Sequence, residues 1–415
     1  MPLPMPKGTR SNLIEQLTKS IYESSIFPSG RVNPYSMKMT ETQAKIATGC
    51  DLDKAASAIL GEQHITTFVR SEMQSIQLDR SRLSANSSRF RDFYSEDEAK
   101  FLATGLIRSF ESLPWKYHFL MALPGLSDRI HPMDRGLITI SRTTQLVTGS
   151  HLNAKENSAE CKGTPNRDRQ KQSRWHSNSI YARISIDGYV SSDQKSESVL
   201  QAHDRLFSLI GLLVAFKVLE ADYLWANGDE GRNPISVILE SDQNEQQLES
   251  IHLDSTYQTL VNDLGYTSSF LSLTETPNAP GEAVERLIEA IQPCTSERIS
   301  SAAKWFLDSY AGNNSQVKFV QLMIAFEILL GDRDMSKETG IATLMANRCA
   351  YMIGRSSKHR ENLIAAFKHG YEIRNRIVHA GTSRLTHKEH TNFQFMQELC
   401  ARVIQHEAVA LFDPA

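Results

Sequence analysis

The sequence predicts a mostly α-helical protein, in which an α+β N-terminal region, residues 1–275, precedes an all-α helical bundle, residues 276–415. Short alternating or β-branched runs, which are typical of strands, occur only before residue 240. Beyond residue 281, apolar residues recur at three- and four-residue spacing, which is typical of helices. Between the two regions, residues 274–281 include Pro277, Pro280 and Gly281, and this composition predicts a linker.

The overall charge excludes one class of nucleic-acid-binding protein. The 415 residues carry a net charge of −3, whereas proteins that coat nucleic acid without sequence preference are usually strongly basic. The charge remains compatible with an enzyme that contacts a short segment of RNA through a local patch.

Cysteine usage and hydropathy predict a cytoplasmic protein. Five scattered cysteines without a Cys-x-x-Cys pair are typical of free thiols in a reducing compartment. The N-terminal segment lacks the apolar core of a signal peptide. The most apolar run, residues 206–219, contains Lys217 and is shorter than the ~18 residues that a membrane span needs. We therefore expect it to form a buried helix and expect no membrane association.

The N-terminal region combines helices and strands. Helices are expected at residues 12–24, through most of residues 50–110 and from residue 196 onward. Residues 149–178 are polar with little to bury, and they predict a long loop. The predicted strands are residues 117–123, 137–144, 180–186 and 235–239.

The C-terminal region is predicted to be a bundle around one central helix. Residues 316–330 are apolar nearly all round and end at Gly331, so we expect this helix to be the most buried. Short connections favour antiparallel neighbours. The predicted helices are residues 282–291, 296–310, 316–330, 337–353, 358–379 and 387–412.

One helix end carries a recognisable motif. Residues 374–379 read Arg-Asn-Arg-Ile-Val-His and are followed by Gly381. This resembles the Arg-x4-6-His signature of the HEPN superfamily of ribonucleases, and residues 325–330 resemble the central helix of its Apea-like branch. The resemblance covers residues 282–412. Arg169 with His176 and Arg384 with His390 also satisfy the spacing, but only Arg374 and His379 stand at the end of a predicted helix.

The position of Arg374 on its helix predicts an ion pair. Arg374 follows Leu363, Phe367 and Gly370 at three- and four-residue steps, so it falls on the apolar stripe, where an unpaired arginine is unfavourable. Glu327 is similarly placed in the central helix. We therefore predict a Glu327–Arg374 pair, with Arg348 as the competing partner and a solvated Glu327 as the alternative.

The resemblance implies a catalytic role for three residues of the motif. His379 would transfer a proton as the RNA 2′-hydroxyl attacks the adjacent phosphate, and Arg374 would stabilise the charge on the phosphoryl oxygens. Asn375 would orient the histidine or hold a phosphate oxygen. No metal or cofactor is implied, and the products would be a 2′,3′-cyclic phosphate and a 5′-hydroxyl. Supporting positions are Glu327, Arg376 and Tyr371.

The spacing within the motif leaves two arrangements open, and the resemblance implies a homodimer. Arg374 and His379 are five residues apart, which on a regular helix is a rotation of about 140°, so they do not share a face. Either the helix end loosens or a second copy contributes one of the two residues. Active HEPN proteins commonly work as dimers, so the resemblance implies the second arrangement.

Other candidate sites are less specific. A basic segment beside a tryptophan is a candidate RNA contact, although charged loops are more often simply solvated. It comprises Arg167, Arg169, Lys171, Arg174 and Trp175. His387, Glu389 and His390 can suggest a metal site, but a polar first turn of a helix is the better interpretation. HEPN toxins paired with nucleotidyltransferase antitoxins usually carry tyrosine where this chain has Gly381, which disfavours that branch.

The hypothesis from sequence is therefore a metal-independent endoribonuclease, acting on tRNA or another RNA. The resemblance further implies a toxin or antiviral effector activated by a phage-derived trigger. One alternative is a catalytically silent bundle that dimerises or binds RNA. Another is an N-terminal sensor of a phage component or a nucleotide whose signal the bundle only transmits.

Overall fold

The structure is a computed structural model in which most described residues are helical, as predicted, and a small antiparallel sheet accompanies the helices. Contacts divide the chain into two compact units. Unit 1 is Met1–His118, Ile186–Ala202 and Leu239–Gln246; unit 2 is Phe119–Ser185, His203–Ile238 and Gln247–Ala415. The predicted linker at residues 274–281 lies outside the described residues, which are 2–79, 89–123, 137–160, 175–177, 179–192, 194, 196–221, 235–240, 245–247, 250–266, 296–332, 340–381 and 384–410.

The helices of the C-terminal region agree with the predicted pattern wherever that region is described. The predicted helix at residues 282–291 lies outside the described residues, whereas the other five predicted C-terminal helices are present. Helices α1 to α13 are, in order, Lys7–Tyr22, Met39–Gln43, Asp51–Leu60, His64–Ser75, Glu96–Glu111, Gly149–Glu160, Glu197–Ala215, Ser255–Asn262, Glu297–Asp308, Ser315–Leu330, Ile341–Ile353, Ser357–Ala380 and His387–Ala410.

Six strands form a sheet in the order β2-β3-β4-β1-β6-β7, and β5 pairs with β8. Strands were predicted correctly at residues 117–123, 180–186 and 235–239. Residues 137–144 differ from the prediction, because Ser141 and Thr143 make a tight turn that leads into a second strand. Strands β1 to β8 are, in order, Trp115–Ala122, Leu137–Thr139, Thr144–Thr148, Ile180–Gly188, Leu219–Glu220, Ser236–Glu240, Glu245–Gln247 and Gly265–Tyr266.

Helix α6 corrects the predicted loop over residues 149–178. Leu152 on this helix is buried and joins the cluster formed by Val147, Trp175 and Tyr181. Asn153 also binds both backbone polar groups of Trp175, at 2.8 Å to its carbonyl oxygen and 3.2 Å to its amide nitrogen. These contacts come from residues far along the chain, so local polarity alone predicted a loop. Residues 161–174 lie outside the described part of the chain.

Unit 1 has an aromatic core that contacts a half-buried carboxyl group. Phe68 and Tyr189 are fully buried, with ring centroids 5.2 Å apart. The Tyr189 hydroxyl donates a 2.7 Å hydrogen bond to Glu72 Oε1, and burial raises the pKa of Glu72.

Helix α5 begins with a capping box, in which Ser95 Oγ accepts from the Glu98 amide and Glu98 accepts from the Ser95 amide.

In unit 2, α10 is the central helix that the sequence predicts. Asn314 caps it by accepting hydrogen bonds from the amides of Gln316 and Val317, and it ends at Gly331. Seven of its residues are buried, and it contacts α9, α11, α12 and α13. The buried residues are Phe319, Leu322, Met323, Ala325, Phe326, Leu329 and Leu330.

Within the described residues, α7 is long and apolar enough to cross a bilayer. However, 72% of its most apolar window is buried inside the protein, as in the core helix of a soluble protein. Helix α7 is therefore weak evidence for a membrane span, and the cytoplasmic location stays a prediction.

Helix α7 also crosses α9 at a glycine, which generates a stability prediction. A Cβ atom added at Gly211 would collide with the backbone carbonyl of Ala303, which cannot move without shifting α9. Gly211→Ala should therefore lower the free energy of unfolding by about 1–3 kcal/mol. Chemical denaturation followed by circular dichroism measures the change.

Gly105, within α5, is the matched control, because a Cβ atom there would meet nothing within 4 Å. Gly105→Ala should raise stability by about 0.4–1 kcal/mol, since alanine restricts the unfolded chain. Equal effects at the two glycines would contradict the close approach of α7 and α9.

Candidate functional site

The candidate site lies along α12, whose ends are both well defined. Ser356 caps its start by accepting a hydrogen bond from the His359 amide, and Gly381 follows its last residue in the left-handed conformation, with φ 60°. Phe367 is fully buried and packs edge-on against Phe326 of α10, with ring centroids 5.0 Å apart. This contact aligns the second half of α12 with α10.

The predicted pair between Glu327 and Arg374 is present. Arg374 Nη2 lies 3.2 Å from Glu327 Oε1, and the two side chains are 21% and 27% exposed. The competing partner, Arg348, instead binds the Leu330 carbonyl at 3.0 Å and Asp332 at 3.2 Å. Arg348 therefore stabilises the C-terminal end of α10, and Glu327 is paired with Arg374.

Tyr371 and Asn375 complete the surroundings of the arginine. The Arg374 guanidinium carbon lies 5.7 Å from the centre of the Tyr371 ring, and Nη1 donates to Asn375 Oδ1 at 3.4 Å. Burial and the neighbouring Glu327 carboxylate raise the pKa of the Tyr371 hydroxyl, whereas Arg374 acts in the opposite direction. Tyr371 is thus protonated at neutral pH and available as a hydrogen-bond donor.

The ion pair leaves hydrogen-bonding capacity unused. Within the described part of the protein, the buried atoms Glu327 Oε1 and Arg374 Nε have no hydrogen-bond partner. The 3.2 Å contact between the two side chains is therefore an ion pair whose geometry is not that of an aligned hydrogen bond. The Arg374 guanidinium therefore keeps donor capacity for a further acceptor.

His379 is exposed in the last turn of α12 and does not join this cluster. The helix is regular through Ala380, so the five-residue separation from Arg374 keeps the two side chains about 140° apart around the axis. Asn375 precedes His379 by one turn and shares its face. One copy of the chain therefore brings Arg374, Asn375, Tyr371 and Glu327 together, but not Arg374 and His379.

Arg376 has a structural partner on α13. Its guanidinium pairs with Glu389, which also accepts a 2.7 Å hydrogen bond from the Thr386 amide. The Thr386 amide and then Arg376 lower the pKa of Glu389, so this carboxylate is ionised at neutral pH. Arg376 thereby ties the start of α13 to the end of α12.

The sequence analysis did not predict the ion pair between Arg376 and Glu389, although the sequence around Glu389 has a recognisable pattern. Thr386 and Glu389 stand at the Thr-x-x-Glu spacing of a capping box, and Glu389 is buried in that role. The polar first turn was thus interpreted correctly, but its link to Arg376 was not foreseen. Among the residues that the structure describes, no group of three or more His, Cys, Asp or Glu is arranged to hold a metal ion.

The candidate RNA contact at residues 167–175 has one described member. Trp175 is 4% exposed and packs edge-on against Tyr181, with ring centroids 5.1 Å apart. Its indole belongs to the core, so it is not available as a surface for base stacking. The other members, Arg167, Arg169, Lys171 and Arg174, lie outside the described residues.

Comparisons with known proteins add no name to this site. No protein-family model matches the chain, and searches of curated proteins and of solved structures find no significant match. Interpretation of the site therefore rests on its own residues.

The pairing of Glu327 with Arg374 generates a stability prediction. Both side chains are less than a third exposed, so solvent screens their attraction only in part. In a double-mutant cycle of Glu327→Gln and Arg374→Gln, we expect a coupling free energy of about 1–2 kcal/mol. Urea denaturation of the four proteins measures it.

The pair Arg348–Asp332 provides the control cycle, since its side chains are 34% and 36% exposed. Its coupling should be below about 1 kcal/mol. A coupling near zero for Glu327 and Arg374 would show that the ion pair is not maintained in solution.

Proposed function

We propose that this protein is a metal-independent endoribonuclease of the HEPN type. The observation that supports the proposal is the partly buried Glu327–Arg374 pair, which sets a guanidinium beside Tyr371 and Asn375 on the helix that carries His379. A guanidinium with unused donor capacity is suited to a phosphate group, and an exposed histidine is suited to proton transfer.

The proposed reaction is an intramolecular transfer within the RNA. The ribose 2′-oxygen attacks the adjacent phosphorus while His379 accepts the 2′-hydroxyl proton. The bond from phosphorus to the 5′-oxygen breaks, and that oxygen takes the proton back from the protonated His379 to leave as a 5′-hydroxyl. The other product is a 2′,3′-cyclic phosphate. DNA lacks the 2′-hydroxyl and is not a substrate.

Arg374 binds the phosphate, and the neighbouring side chains hold Arg374 in position. Its guanidinium stabilises the charge on the phosphoryl oxygens as the fifth bond to phosphorus forms. Glu327 fixes its position, and the Tyr371 ring restricts its rotation through the cation–π contact. Asn375 lies one turn before His379 and is placed to orient the imidazole or to bind a phosphate oxygen.

The active form is proposed to be a homodimer. Because α12 is regular through Ala380, Arg374 and His379 of one copy point in different directions. Two α12 helices meeting across a two-fold axis bring Arg374 of one copy to His379 of the other. Such an enzyme damages the cell's own RNA, so we further propose a toxin or antiviral role under control of a phage-derived trigger.

Cleavage of total tRNA and of a generic single-stranded RNA in EDTA tests the reaction. We expect wild type to produce cyclic-phosphate ends, and Arg374→Ala and His379→Ala to lose about 10²–10⁴-fold in rate. Lys358→Ala, exposed in the first turn of the same helix, is the matched control and should retain wild-type activity.

Several outcomes would contradict this reaction. Equal cleavage by all four proteins would indicate another active site or a contaminating nuclease. If wild type is silent in vitro, expression toxicity is compared during phage challenge. Toxicity that persists in His379→Ala, or its absence from wild type, would then exclude the proposed enzyme.

Subunit mixing tests the dimer directly. Mixing Arg374→Ala with His379→Ala protein gives heterodimers in which one of the two shared sites keeps both residues. About a quarter of wild-type activity should return, since half of randomly exchanged dimers are mixed and each has one intact site. Activity that stays at the level of the separate variants after subunit exchange would place both residues in one copy.

A further inference from the structure

A polar cavity of about 630 Å³ lies within unit 1, among α2, α3 and α4. Two of these helices turn regularly spaced polar side chains towards it. Asp53 and Ser57 are four residues apart on α3, and Thr66 and Arg70 are four residues apart on α4. Thr40, Thr48 and Gln63 are exposed at its rim, so the cavity opens to solvent, and its convergent polar side chains suit a polar ligand.

One side of the cavity presents a fixed acceptor. Asp53 Oδ2 accepts a 2.7 Å hydrogen bond from the Gly49 amide, and Oδ1 accepts one from His64 Nε2 at 3.0 Å. His64 is fully buried, its Nδ1 accepts from the Ile65 amide, and its Nε2 lies between Asp53 Oδ1 and the Gln43 carboxamide, 3.1 Å from the latter. The Gly49 amide and then His64 lower the pKa of Asp53, so the carboxylate is charged and held in place.

The other side presents a cation, Arg70 of α4. Among the described residues, Arg70 makes no ion pair, and its buried Nε atom has no hydrogen-bond partner. Its guanidinium is held over the Tyr35 ring, with the central carbon 5.5 Å from the ring centre. Thr66, one turn earlier, is only 6% exposed and lines the same cavity. An arginine and a hydroxyl at this spacing suit a phosphate group.

The size and spacing of these groups restrict the ligand further. His64, which binds Asp53, and Arg70 are six residues apart on α4, a rise of about 9 Å along the helix axis. At about 30 Å³ per water-sized group, the cavity holds roughly 20 non-hydrogen atoms. Met39 and Ile46 add an apolar wall that suits a flat ring.

We propose that this cavity binds a phosphorylated ribonucleoside, such as a ribonucleoside 5′-monophosphate. The phosphate binds Arg70 and Thr66, and the ribose hydroxyls donate to Asp53. The Gln43 carboxamide, 3.1 Å from His64 Nε2, lines the cavity as well and lies within reach of the base. The site is independent of the ribonuclease residues and gives unit 1 a ligand of its own.

Calorimetric titration of the full chain with the four ribonucleoside 5′-monophosphates tests the proposal. At least one should bind with a dissociation constant below about 1 mM. Its parent nucleoside and inorganic phosphate should each bind at least about tenfold more weakly, because each reaches only one side of the cavity. Absence of binding by all four nucleotides would overturn the proposal.

Substitutions distinguish nucleotide binding in this cavity from unspecific binding elsewhere on the protein. Arg70→Gln and the nearly isosteric Thr66→Val should each weaken the nucleotide, by about tenfold or more for Arg70. Arg108→Gln, an exposed arginine in the last turn of α5, should leave affinity unchanged. Thermal unfolding verifies that each variant is folded. If neither cavity substitution changes nucleotide binding, the nucleotide binds elsewhere. If inorganic phosphate binds as tightly as the nucleotide, the ligand is not a nucleotide.

Discussion

The burial of α10 is the constraint on which the C-terminal helices depend. Its side chains are apolar around most of its circumference, so they leave water only when α9, α11, α12 and α13 surround it together. Glu327 is the one charged residue in its second half, and burial there requires a counter-charge. Arg374 supplies that charge from α12. The position of the candidate site is thus a consequence of packing the central helix.

This dependence was accessible from the sequence because it follows from helical spacing. Arg374 falls on the stripe of Phe367 and Gly370, and Glu327 falls among apolar residues, so each needed the other. The choice between Arg374 and Arg348 was not accessible in the same way. It is decided by the end of α10, where the Leu330 carbonyl and Asp332 bind Arg348. Such contacts depend on how the chain leaves the helix, and residue spacing does not encode that path.

The features that sequence reasoning missed arise between segments far apart in the chain. Residues 149–160 have weak local signals, and their helix is completed by Leu152 in the core and by Asn153 at the backbone of Trp175. The sequence places Trp175 beside basic residues, which is typical of an exposed aromatic, but in the structure Trp175 is buried. The cavity beside Arg70 is of the same kind, because three short helices must pack before their polar residues face a common space.

The contacts of α13 determine when unit 2 can complete its packing during synthesis. Besides contacting α10, α13 places Gln405 on the carbonyl of Ala215 at the end of α7, 2.7 Å away, and pairs Glu398 with Lys217. These contacts join residues 190 and 181 positions apart. A ribosome adds about 5–20 residues per second, so α7 and α10 exist for seconds before the helix that covers them. During that interval their apolar surfaces are open to chaperones and to self-association, and unit 2 reaches its final packing only after α13 has been made.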